Sequence, residues 1–202
     1  PVGLGISFGP EKFKVSTNLE YRMNGRHFMF GFWDQSYELN RASVLTENEI
    51  ITRSQSLLNY GELSGIFFSM DMSMFNFMTL NVAYQQMSGE TWVDDGSVSF
   101  SSDDGYFKKD QESKSFLAKL NLNVSKIPKL KIAEAYYERS NDTSFDLSEP
   151  SLNTIHGYNI GYEFSEGVTM LYKGQTTYVN DIANPGELKA SFSMQFETQI
   201  AL

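Results

Sequence analysis

Two histidines, His27 and His156, and an acid-rich run with Asp94, Asp95, Asp103, Asp104, Asp110 and Glu112 are the residues best suited to acid–base or metal chemistry. A general base works only with a partner within hydrogen-bond reach. Paired aspartates in a Gly- and Ser-rich run are read first as a solvated loop. Clustered carboxylates can hold Ca²⁺, but the spacing here does not follow a calcium-binding helix–loop–helix. Met70, Met72, Met74 and Met78 are soft donors in principle, and packing is the plainer reading. There is no cysteine, so thiolate metal sites and disulfides are both excluded. No Ser/His/Asn arrangement can be picked out. The chain is therefore read as non-enzymatic, with no catalytic residue, no metal site and no cofactor.

The remaining chemistry lies in spaced charges, and composition limits what they can do. The formal net charge is −9 and the sequence pI about 4.7, which argues against nucleic acid as a partner. No run of about eighteen apolar residues is present, so no transmembrane helix is expected. Mean hydropathy is mildly negative, as a barrel with one wet face per strand permits. The chain starts at Pro1, which is read as a mature form or a fragment.

Strands must position those charges. From Leu188 to Leu202, the residues Leu188, Ala190, Phe192, Met194, Phe196, Thr198, Ile200 and Leu202 alternate with Lys189, Ser191, Ser193, Gln195, Glu197 and Gln199. Successive strand residues point to opposite faces, so one face is apolar and one is wet. About fifteen residues span roughly 50 Å, whereas a tilted membrane-crossing strand needs about nine to eleven residues. The same alternation recurs at 2–8, 13–21, 66–72, 78–84, 116–124, 158–164 and 168–172. Asn24-Gly25 is the strongest hairpin signal and predicts a further strand from about Arg26 to Tyr37. Parity is confused in 129–139, which predicts a bulge or a strand apolar on both faces. Residues 43–58 fit either a short helix or a strand extension. In all, about ten strands are expected.

The connections are sorted by length. Short turns near Asn24, Ser73, Lys126 and Ser165 are expected at one end, together with both termini. Loops at 38–60, 88–113, 140–155 and 179–187 are expected at the other. The amphipathic last strand, the sorted loops and the Tyr- and Phe-rich faces resemble bacterial outer-membrane β-barrel proteins, whose short turns are periplasmic and whose long loops are extracellular. The resemblance is architectural and spans the chain. One departure is the ending Gln199-Ile200-Ala201-Leu202, where many such proteins finish on Phe or Trp. It implies an all-β, antiparallel, up-and-down transmembrane barrel in the outer membrane of a Gram-negative bacterium. Residues 1–202 would form one barrel domain or the C-terminal part of a larger barrel. Membrane lipid is the expected partner, with other outer-membrane or periplasmic proteins and self-association left open. In strand count the chain also resembles the omptins, outer-membrane proteases with acids and a histidine at the outer rim. His27 falls beside a predicted periplasmic turn, however, and no omptin motif occurs.

On this frame, Lys12, Lys14, Glu20, Arg22, Lys119, Glu163, Lys173, Lys189 and Glu197 line the lumen. Phe28, Phe30, Phe68, Leu80, Leu120, Leu122, Ile160, Phe192 and Phe196 face lipid, and Tyr21, Tyr84, Tyr158, Tyr172 and Tyr178 suit interfacial anchoring. The mixed inward charges fit either a polar pore lining or a salt-bridged plug. The leading expectation is a channel or transport protein for small hydrophilic solutes. The alternative is a structural or partner-docking barrel with a plugged lumen, and the third reading is a soluble β-sandwich binding module. Leu120→Arg places a charge at mid-bilayer depth at a cost of about 2–4 kcal/mol. It should abolish the heat-dependent shift in gel mobility that marks a folded barrel.

Overall fold

Wherever polar and apolar residues alternate, the backbone is extended and finds its hydrogen-bond partners on the next segment of chain. The computed structural model describes residues 1–10, 12–29, 42–46, 49–94, 105–144, 146, 148–181, 183–184 and 186–200. The strands are β1 (Val2–Phe8), β2 (Phe13–Asn24), β3 (Ala42–Thr46), β4 (Glu49–Thr52), β5 (Tyr60–Met74), β6 (Met78–Asp94), β7 (Gly105–Leu122), β8 (Leu130–Asp142), β9 (Thr154–Ser165), β10 (Val168–Asn180) and β11 (Leu188–Ile200). Nine of them form one sheet in the order β1-β2-β5-β6-β7-β8-β9-β10-β11, and β3 pairs with β4 alone. Apart from the β3–β4 excursion, every neighbour in the sheet is a neighbour in the chain, so the fold is an all-β antiparallel meander. Among the described residues, no helix is long and apolar enough to cross a membrane.

Contacts divide the chain into two units. The first comprises Pro1–Val2, Tyr21–Ile66 and Gln86–Ser113, and the second Gly3–Glu20, Phe67–Gln85 and Lys114–Leu202. In the first unit the connection after β2 returns to β5 through the β3–β4 hairpin, a helix α1 (Arg53–Ser56) and a 3₁₀ turn (Leu57–Asn59). Thr52 caps α1: Gln55 N–H donates to its Oγ1 at 3.3 Å, and its own N–H donates to Gln55 Oε1 at 2.8 Å. That reciprocal capping box satisfies backbone donors a lone turn of helix would leave open. Both alternatives left open for 43–58 are thus used, strand first and helix after. The connection is cinched at its base, where His27 N–H donates to the Tyr60 carbonyl at 2.8 Å.

In the second unit the short turns share one end. Phe75 N–H donates to the Lys12 carbonyl at 2.5 Å, Asn123 N–H to Phe77 O at 2.6 Å, and Glu163 N–H to Lys129 O at 2.6 Å. The tightest reversal runs Met74-Phe75-Asn76-Phe77. Phe75 and Asn76 have φ of 51° and 52°, and Phe77 N–H donates back to Met74 O at 2.8 Å. Two left-handed residues in succession make a type I′ turn, whose twist matches the flanking strands.

Several expectations change. Asn24-Gly25 is no hairpin: β2 ends at Asn24, a turn follows, and Phe28 lies on no strand. Asn24 is also at the end of β2 away from the Gly9–Lys12 turn, so it does not belong with the short turns. Phe30, with most of the strand expected at 26–37, lies outside the described residues. The long loop expected at 88–113 is shortened from both sides, because β6 runs to Asp94 and β7 begins at Gly105. Polar side chains misled there, since a ladder is held by backbone groups and tolerates polar residues on both faces. The termini do not share an end either. Ile200 pairs with Val168 beside the short Glu166–Gly167 turn, whereas β1 runs from Val2 toward the short turn after Phe8. With nine strands in series, β1 and β11 run in the same direction.

Candidate functional site

The register of the second unit brings one residue from each successive strand into a single row. Asn121 stands opposite Glu134, Glu134 opposite Asn159, Asn159 opposite Lys173, and Lys173 opposite Gln195. Hydrogen bonds carry the row back to β6 and β5: Asn121 Nδ2 donates to Asn81 Oδ1 at 3.1 Å, and Asn81 Nδ2 donates to Asp71 Oδ1. At the far edge, the Ser7 and Ser16 hydroxyls meet at 2.8 Å between β1 and β2.

Ion pairs run along this face. Lys119 Nζ lies 2.8 Å from Glu134 Oε2, and Asn159 Nδ2 donates to Glu134 Oε1. Lys173 Nζ lies 2.6 Å from Glu197 Oε1. Closer to the short turns, Lys131 Nζ lies 3.0 Å from Glu163 Oε2. The lysine stems reach across strands to acids, as expected where charges are partly removed from water and need partners. Tyr136 completes the face. It stands opposite Gly157, where a Cβ would sit only 2.7 Å from its hydroxyl oxygen, so only glycine leaves room for the ring. The hydroxyl then reaches Gln175 Oε1 at 3.2 Å.

The two faces of this sheet are inverted relative to a water-soluble one. Tyr136, Ile155 and Leu171, on the polar face, are 7%, 4% and 5% exposed, whereas Ile160 and Tyr162, on the apolar face of β9, are 41% and 42% exposed. Leu120, Leu122, Ile160, Phe192 and Phe196 all lie opposite the row, and alternation places Phe68 and Leu80 with them. Both edge strands are exposed along their whole length.

Of the charges expected on the wet face, the row and its flanks bring together Lys119, Glu163, Lys173 and Glu197. Glu20 and Arg22 lie on β2, where Asn18 Nδ2 donates to Glu20 Oε1 at 2.5 Å. Lys12 falls in the turn before β2, Lys14 is exposed near its start, and Lys189 is exposed at the start of β11. Glu134, which joins the row's partners, escaped sequence reading. The register shifts between Leu130 and Ile132, so counting by two from the start of β8 loses the face.

The two histidines fall in different units. His156 lies beside Tyr178, ring centroids 6.0 Å apart. His27 is not beside a short turn but in the β2–β5 connection, its Nδ1 3.1 Å from the Leu57 carbonyl. Asp95, Asp103 and Asp104 lie outside the described residues, and among those described no three His, Cys, Asp or Glu residues gather as a metal site. Compared with known protein families, with curated proteins and with solved structures, the chain finds no match.

The first unit carries its own buried charge, Glu90, late in β6. Arg26 grips Glu90 as a fork, Nε to Oε2 at 2.7 Å and Nη2 to Oε1 at 2.9 Å. Its guanidinium sits 4.3 Å from the Phe107 ring centroid, and Glu62 N–H adds a bond to Glu90 Oε2 at 3.2 Å. The Arg26 hydrogen bonds hold the Glu90 carboxyl down at about 2. A carboxylate held that low stabilises the fold fully above its ordinary range of about 4–4.5, and loses that contribution as pH falls toward 2. Amide hydrogen exchange at Glu62 should therefore be as slow at pH 5 as at pH 7, after correction for intrinsic rates, and should accelerate below about pH 4. Glu90→Gln should flatten this dependence.

Proposed function

We propose that the chain is a membrane β-barrel protein of a Gram-negative outer membrane, whose polar face lines a path for small hydrophilic solutes. The observation that carries this reading is the inversion of the faces on the inner strands, with Ile160 and Tyr162 of β9 uncovered while Tyr136, Ile155 and Leu171 are buried on the polar face. In water, the uncovered apolar face of a sheet calls for a second layer; in a bilayer, lipid is that layer. A soluble sandwich would need a sheet packed on those residues, and the meander supplies none among the described ones.

Strand length agrees. β5, β6 and β7 have 15, 17 and 18 residues, beyond the nine to eleven or so of a tilted crossing. In hydrocarbon no backbone group can be left unpaired, so the free edges of β1 and β11 must be satisfied. Running in the same direction, they can meet each other only as a parallel pair. An odd number of intervening strands would keep every ladder antiparallel. Tyr162, exposed in the third pair from the β9–β10 turn, suits an interfacial position.

A second reading is a plugged barrel that docks a partner. It is favoured by the pairing of Lys119 with Glu134 and of Lys173 with Glu197, which crosslinks the face that would line the pore. Purified protein reconstituted in planar bilayers separates the readings. Stepwise single-channel currents are expected. A heat-modifiable protein that passes no current points to the plug. A protein that stays soluble without detergent and shows no mobility shift contradicts both.

A further inference from the structure

We infer that Glu134 sets the ion preference of the polar row, holding it near neutrality between potassium and chloride. The inference rests on the channel reading above. Both oxygens of this one carboxylate are engaged, Oε2 by the Lys119 ammonium at 2.8 Å and Oε1 by the Asn159 amide. Asn159 in turn stands opposite Lys173, which places a second ammonium one strand further along the same face. Lys173 is tied on its other side to Glu197 at 2.6 Å. From β7 to β11 the charges therefore read Lys119, Glu134, Lys173, Glu197, alternating and balanced.

The two acids are not equivalent. The Glu134 side chain is 16% exposed and that of Glu197 is 45% exposed. Charges away from water are screened least, so Glu134 is the acid whose loss the row feels most. Without it, Lys119 has lost its ion-pair partner, Lys173 keeps only Glu197, and the four charges from β7 to β11 are left with one surplus positive charge. The ligand class is then small inorganic anions. Even at the full screening of water, a unit charge about 7 Å away shifts occupancy by a factor of about three.

The test is the reversal potential of the reconstituted protein under a potassium chloride gradient. The unsubstituted chain should reverse near zero. Glu134→Gln should move the permeability ratio about threefold toward chloride. Lys119→Gln should move it in the opposite direction, and the double variant should return close to the unsubstituted value, because both charges are gone. Native reversal potentials in both single variants, with conductance retained, would overturn the inference. Should Glu134→Gln fail to assemble, the Lys119→Gln shift and the restored double variant still decide it. If no variant and no unsubstituted protein conducts, the channel reading itself has failed.

Discussion

The constraint on which everything else depends is the backbone ladder between chain neighbours. Each strand of the meander pairs with the strand before and the strand after it, and only the β3–β4 excursion interrupts the order. β10 and β11 show this at its fullest, in register from Val168 opposite Ile200 to Asn180 opposite Leu188 without a break. Because the backbone groups of the inner strands are paired within the sheet, side chains are not needed to hold the strands together. They are free to sort by face, and here they sort in the reverse of the order water would impose. Edge strands lack this protection on one side, which makes β1 and β11 the part of the fold most dependent on its surroundings.

Once the faces are inverted, the polar side carries the specificity. A half-buried acid such as Glu134 is tolerable because Lys119 and Asn159 meet it, Asn159 from directly opposite and Lys119 diagonally, one pair along from Asn121 on the same face. Arg139 is a further example outside the row: its side chain is 5% exposed and is held by Asp142 at 2.7 Å and by the Glu149 carbonyl at 2.8 Å, so the loop after β8 is built around one guanidinium. Buried charges of this kind add little net stability, but removing one partner is costly. They therefore fix geometry more than they deepen the energy well.

How much of this could be read in advance varies with the local physics. β11 was legible almost to the residue, because thirteen strand positions alternate without exception and nothing interrupts the ladder. Lys119, Lys173 and Glu197 were legible for the same reason. Glu134 was not, since the register shift after Leu130 breaks the count of two. Asn24-Gly25 carried a strong hairpin signal that is not used, because β2 pairs onward with the distant β5. The left-handed turn occurs instead at Phe75-Asn76, where a short connection was expected near Ser73 but no glycine marks the left-handed residues. The capping box of Thr52 and Gln55 was not singled out, and 43–58 was left between helix and strand. The β6–β7 extension was hidden by its polarity: alternation identifies strands with one dry face, and strands wet on both faces leave no such pattern.

The central claim is that the apolar face meets lipid and the polar face does not. Because the chain has no cysteine, single cysteines placed along β10 can each carry a spin label without interference. In reconstituted vesicles, labels at Met170, Tyr172, Thr176 and Tyr178 should collide readily with oxygen dissolved in the bilayer, and labels at Thr169, Leu171, Lys173 and Gln175 should not, giving a period of two along the strand. A profile without that alternation, or with the two sets exchanged, would contradict the account.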